Sequence, residues 1–110
     1  MMKWYKVFRS KEEAVQAIPE NSKRVIRLGD LKICMVNKRE VFYAIENDCP
    51  HLGDSLSKGT LNAENEVICP WHTYRFNLET GKEAMNRCRD AKIFQVKQEQ
   101  EGIFVGVPEL

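Results

Sequence analysis

Apolar and polar positions change places at short intervals along most of the chain. Residues 4–8 alternate weakly and predict a first strand. Ser10-Lys11-Glu12-Glu13 fits a capping box, with Ser10 as N-cap and Glu13 reaching back, and opens a short helix through Ile18 that Pro19 stops. Residues 25–28 and 31–36 about the turn Gly29-Asp30 predict a hairpin. A polar turn at 37–40 leads into a third β-rich run at 41–45. Residues 92–97 and 102–107 predict a last hairpin around 98–101. Short strands at close spacing with one minor helix imply an all-β fold, a small antiparallel β-sandwich or barrel. With no internal repeat and no linker-like tract, residues 1–110 read as one domain. Tyr5, Tyr43 and the phenylalanines read as core.

Residues 46–81 break this rhythm. Gly, Pro and Asn punctuate the segment, and its one short apolar run is Glu66-Val67-Ile68. A loop-rich insertion of about 35 residues in so small a domain is usually functional.

Charge narrows the function. Seventeen Lys and Arg against sixteen Asp and Glu leave a net charge of +1, without the clustered basic excess of a nucleic-acid binder. No apolar run reaches the roughly 18–20 residues of a membrane span, and the N-terminus carries no signal-peptide core. A cytoplasmic location is expected, where disulfides are rare. The four cysteines then point to metal or reactivity before cross-links. Each of the two histidines, His51 and His72, lies within three residues of a cysteine.

Cys49-Pro50-His51-Leu52-Gly53 begins the loop-rich segment and Cys69-Pro70-Trp71-His72 lies near its end. Two short ligand pairs on two loops make a four-donor site once the loops face each other. A proline after each cysteine stiffens the loop, and Gly53 permits close backbone approach. Two thiolates and two imidazoles suit tetrahedral zinc, or a 2Fe–2S cluster with histidines replacing two cysteines on one iron. Cys34, in an apolar strand, and Cys88, in a polar connector, read as free thiols outside the site. Trp71 fits packing over the loop, the commoner role, or a contact presented to a partner. Leu52 fits either packing or an exposed contact, and Asp48 and Asp54 read as solvated charges that make the rim negative.

The two boxes and the following Arg75-Phe76-Asn77-Leu78-Glu79-Thr80-Gly81 resemble a Rieske iron–sulfur domain. Within that family the chain is most similar to small soluble Rieske-type ferredoxins and to Rieske domains of oxygenase and nitrite reductase systems. The resemblance covers nearly the whole chain. It implies one 2Fe–2S cluster per chain, with Cys49 and Cys69 on the inner iron and His51 and His72 on the outer one. It also implies a departure: the family's second box commonly continues with glycine, where this chain has Thr73.

The activity implied is one-electron transfer, from a flavin-containing reductase to a terminal oxygenase or reductase, by small transient contacts. An oxygenase also needs a mononuclear iron held by two histidines and a carboxylate. The cluster uses both histidines, so the chain is expected to be an electron carrier and no enzyme by itself. Membership as a small subunit of a nitrite reductase-like or oxygenase complex stays open, as does a zinc-stabilised structural module. High-potential relatives carry an extra cysteine in each box and place serine and tyrosine after the second histidine as donors to sulfur. Asp54, Trp71, Tyr74 and Phe76 stand at those positions, which implies no such disulfide, fewer donors and a low potential.

Overall fold

The computed structural model describes residues 1–71 and 73–108. Among these residues nine strands run in chain order: β1 Met2–Phe8, β2 Ser22–Leu28, β3 Leu31–Lys38, β4 Val41–Glu46, β5 Thr60–Leu61, β6 Glu66–Ile68, β7 Arg75–Asn77, β8 Ile93–Glu99 and β9 Gly102–Pro108. Between β1 and β2 lies one helix, α1 Lys11–Ala17, and Leu56–Lys58 form a 3-10 turn. The long strands make one six-stranded antiparallel sheet in the order β1-β9-β8-β4-β3-β2, and β5-β6-β7 make a separate three-stranded sheet.

The hairpins form where the alternation places them. Leu28 pairs with Leu31 and Val25 with Cys34, so Gly29-Asp30 is a two-residue turn, with Gly29 at φ 64°. The expected four-residue turn at 37–40 is tighter than the polarity suggested. Lys38 still pairs with Val41, leaving Arg39 and Glu40 as the turn, both with positive φ. Such backbone matches the twist of a tight hairpin. Asn37 is fully buried because its amide works inward. Its Nδ2 donates to the Ile18 carbonyl (2.8 Å) and its Oδ1 accepts from the Glu40 N–H (2.9 Å).

Ser10 caps α1 as expected, accepting from the Glu13 N–H at 3.0 Å. The return half of the capping box differs. Glu13 Oε1 accepts from the Arg9 N–H (3.1 Å), and Oε2 pairs with the Arg9 guanidinium (3.0 Å). The cationic neighbour draws the carboxylate one residue further back than the box pattern implies.

Two cores share one wall. Ile33 and Met35 of β3, with Phe42 and Ala44 of β4, pack with Phe8, Ala14, Ile18, Phe94, Ile103 and Val105 under the helix. The alternate residues Cys34, Val36 and Ile45 face the other way, against Leu56, Val67, Phe76, Leu78, Cys49 and Cys69. Residues 33–37 of β3 are buried on both faces, which is why the strand reads as a near-continuous apolar run. The second core ties the three-stranded sheet to the large one. Phe104 and Tyr5, expected in the core, are only partly buried. Both lie under lysine ammonium groups, Lys6 over Phe104 and Lys3 over Tyr5.

The connector from 82 to 91 is closed by Gly81. Gly81 N–H donates to Asn77 O and Ala91 N–H donates to Gly81 O, both at 2.8 Å. Gly81 has φ +78°, and a Cβ there would collide with the Ala91 carbonyl. Gly81→Ala is therefore expected to lower unfolding free energy by about 2 kcal/mol or more. Urea denaturation of the two proteins checks this.

Candidate functional site

The two boxes are the tips of loops that the second core carries. The first is tied off by its own backbone. Cys49 N–H donates to Asp54 O (2.7 Å), and Gly53 N–H returns to Cys49 O (2.8 Å), with Gly53 at φ 82°. Asn47, buried at its base, accepts from the Ser57 N–H and donates to Ser55 Oγ. The second box closes in the same manner, Cys69 N–H donating to Tyr74 O at 2.8 Å.

Folding brings Cys49 and Cys69 side by side. Both are buried, and their thiols are within hydrogen-bonding reach of each other. Burial pushes the Cys69 thiol up to about 11, and Cys49 and Asp54 push the same way, while the Trp71 N–H donates to its sulfur and pulls it back. Filling the site with a cation therefore displaces protons. The Nδ1 atom of His51 is buried, although the residue as a whole is partly exposed. Two buried thiols and one buried imidazole nitrogen fit the donor set that both zinc and a His/Cys-ligated 2Fe–2S cluster require. His72, the fourth expected donor, lies outside the described residues.

The remaining sequence-based expectations divide. Cys34 is a buried thiol pushed up to about 12 by burial, with Lys23 opposing. It faces the second core one layer behind the site. Cys88 is a free, partly buried thiol, raised by burial first and then by Cys49 and Glu83. Trp71 does not pack over the loop: it is 55% exposed, and Leu52 is 58% exposed. Phe76 is fully buried and offers no donor. Thr73, at the glycine position, adopts φ 57°, a conformation that is uncommon for any side chain and strained for a β-branched one.

The sequence gives little sign of the connector 82–91, which straps the two boxes together. Glu83 is buried, and its Oε1 accepts from the Met85 N–H (3.0 Å), the Arg87 N–H (2.9 Å) and Arg87 Nε (3.1 Å). Its Oε2 accepts from the guanidinium at 2.8 Å. The same guanidinium lies over the Tyr74 ring, 3.9 Å from its centroid. Tyr74 in turn stacks on His51, with centroids 4.1 Å apart and planes within 13°. Arg89 grips Glu46 at the end of β4 (2.6 and 3.2 Å), just before the first box. The spacing of Glu83 and Arg87 was the one signal available, and it suggests a helix that does not form.

Among the described residues, no helix is long and apolar enough to cross a membrane. The family model of the Rieske [2Fe-2S] domain matches residues 3–100. Apoptosis-inducing factor 3 of Homo sapiens is 36% identical over 92 residues, covering 83% of this chain and 15% of that protein. The chain thus corresponds to a small part of that relative. Ferredoxin CarAc of Metapseudomonas resinovorans is 33% identical over 88 residues, 79% of this chain and 81% of its own length. Among solved structures, a chain of the complex of reduced oxygenase and oxidized ferredoxin in carbazole 1,9a-dioxygenase superposes with a TM-score of 0.77. Its identity is 29%, and the match covers 93% of this chain and 91% of that one.

Two predictions follow from this geometry. Arg87 first, and the backbone N–H groups of Arg87 and Met85 with it, hold the Glu83 carboxyl down to about 2 against the opposing cost of burial. A depressed folded value means stability that is present above the ordinary carboxyl range and lost as pH falls from there through the folded value, on the order of 3 kcal/mol in all. Glu83→Gln should be less stable at pH 7, with the difference from wild type shrinking between pH 5 and 2; denaturation series at several pH values measure it. Thr73→Gly relieves the left-handed backbone and should stabilise the protein by up to about 1 kcal/mol, read as a higher unfolding midpoint.

Proposed function

Because the chain belongs to the Rieske [2Fe-2S] domain family, we propose that it is a one-electron carrier whose residues 1–110 act as one Rieske domain. The observation that carries this reading is the pair of buried thiols, Cys49 and Cys69, brought side by side by the two box loops; His51 Nδ1, on the first of those loops, is buried as well. We assign Cys49 and Cys69 to one iron and His51 and His72 to the other. When bound, the cluster supplies the one-electron couple. Two neutral imidazoles leave the site less negative than four thiolates would, which favours reduction.

The residues around the boxes do the rest. The loops and the second core keep the two sulfurs dry, and the Trp71 N–H donates to Cys69. Leu52 and Trp71 present exposed apolar surface beside the ligand loops, which suits brief contact with a redox partner. We assign a flavin-containing reductase as donor and a terminal oxygenase or reductase as acceptor, a role supported by the likeness to Ferredoxin CarAc and to the oxygenase–ferredoxin complex. The cytoplasm is the compartment this reading assigns, since the cysteines serve as thiols. The chain carries electrons and performs no catalysis of its own.

Purified protein should be red-brown, with about two irons per chain and the EPR signal of a histidine-ligated cluster when reduced. Cys49→Ala, His51→Ala, Cys69→Ala and His72→Ala should each abolish or cripple the cluster, while Cys34→Ala and Cys88→Ala leave it intact. Colourless protein with stoichiometric zinc and no iron would replace this reading with a structural zinc site. Phe76 supplies no donor and the Tyr74 ring is committed to stacking on His51. The midpoint should therefore lie near the bottom of the roughly −150 to +300 mV span of such centres, measured by protein-film voltammetry.

A further inference from the structure

We propose that Tyr74 and Arg87 are positioning residues for the His51 imidazole, forming a three-layer stack of guanidinium, phenol ring and imidazole that fixes the plane of this ligand. The inference rests on the ligand assignment above. His51 sits on a short loop and is partly exposed. The Tyr74 ring lies 4.1 Å away and within 13° of parallel, close enough that rotating the imidazole would drive its edge into the phenol ring. Tyr74 is itself fixed on two sides. Its carbonyl accepts from the Cys69 N–H, and the Arg87 guanidinium covers its other face at 3.9 Å.

Arg87 makes a rigid outer layer because Glu83 holds it. Both guanidinium contacts and the Arg87 N–H converge on one buried carboxylate. The stack therefore runs from a buried charge in the strap, through the second box, to a ligand in the first. It uses ring faces throughout, so a phenyl ring should replace the phenol, whereas an aliphatic side chain should not.

The test uses cluster-loaded wild type, Tyr74→Phe, Tyr74→Leu and Arg87→Lys, read by pulsed EPR of the reduced protein for the nitrogen couplings of the ligands. Midpoint potential and the rate of cluster loss are measured beside it. Tyr74→Phe should match wild type. Tyr74→Leu should change the coupling of one imidazole and leave the other, move the midpoint, and speed cluster loss about 2- to 10-fold, the range a ring pair supplies. Arg87→Lys keeps a charge for Glu83 but takes the flat layer off the ring, and should move the same coupling by less. Wild-type couplings and midpoint in a loaded Tyr74→Leu protein would overturn the proposal. So would Tyr74→Phe behaving like Tyr74→Leu. If Tyr74→Leu takes up no cluster, Arg87→Lys decides alone: unchanged couplings there overturn the stack. Wild-type protein lacking two nitrogen couplings would instead overturn the ligand assignment, whatever the variants do.

Discussion

Two thiols buried against one another set the terms for everything around them. As thiols they are tolerable. As thiolates they repel at short range, in surroundings that already hold the Cys69 proton well above its ordinary range. A dry pair of thiolates is stable only when a cation lies between them, which is the part the proposed cluster would play. The fold's task is then narrow: hold two loops so that their tips converge, and keep water from the sulfurs while the imidazole edge stays near the surface.

The large sheet answers by being apolar on both faces at its centre. Through β3 and β4 one strand pair serves two cores at once. Helix α1 and strands β8 and β9 complete the first, which stabilises the scaffold. The second core has no helix and little regular structure of its own, and it is the one that carries the boxes. Gly59 allows the 3-10 turn to pass tightly over Ile68, where a Cβ would strike the backbone carbonyl. That close approach delivers β6, and hence Cys69, against Leu56. The strap then locks what packing alone would leave loose, gripping the base of the first box through Glu46 and the second through Tyr74.

How much of this could be read in the chain follows from which forces leave a local trace. The long hairpins were legible because alternation and turn chemistry act within a few residues, as at Gly29-Asp30. The boxes were legible because thiols and imidazoles at fixed spacing have few other uses. The strand Arg75–Asn77 was hidden. Three residues give no period, and only pairing with β6 makes them a strand. The strap was hidden for a different reason. Glu83 is a charged residue in a polar connector, and its burial depends on an arginine four residues away meeting it outside any helix. For Trp71 the commoner expectation failed and the other fits: an apolar ring predicts burial, yet beside the tight closure from Cys69 to Tyr74 it is more than half exposed.

The charges beside the site show what the strap contributes. Arg87 stands over the Tyr74 ring and Arg89 near Cys49, and two bare cations there would raise the potential by favouring the reduced, more negative state. Each is instead matched by a carboxylate, Arg87 by Glu83 and Arg89 by Glu46. The pairs leave little net charge and act as fixed dipoles, each with its arginine carried on the strap. Arginines matched in this way do little to shift the potential by charge. What the strap supplies is orientation: flat groups and bidentate contacts whose geometry is set before the cluster arrives. The same reasoning accounts for burying Glu83 at all. A carboxylate taken out of water is costly unless fully partnered, and one with four donors on it is a rigid post to which an arginine, a tyrosine and a ligand loop can be fastened in turn.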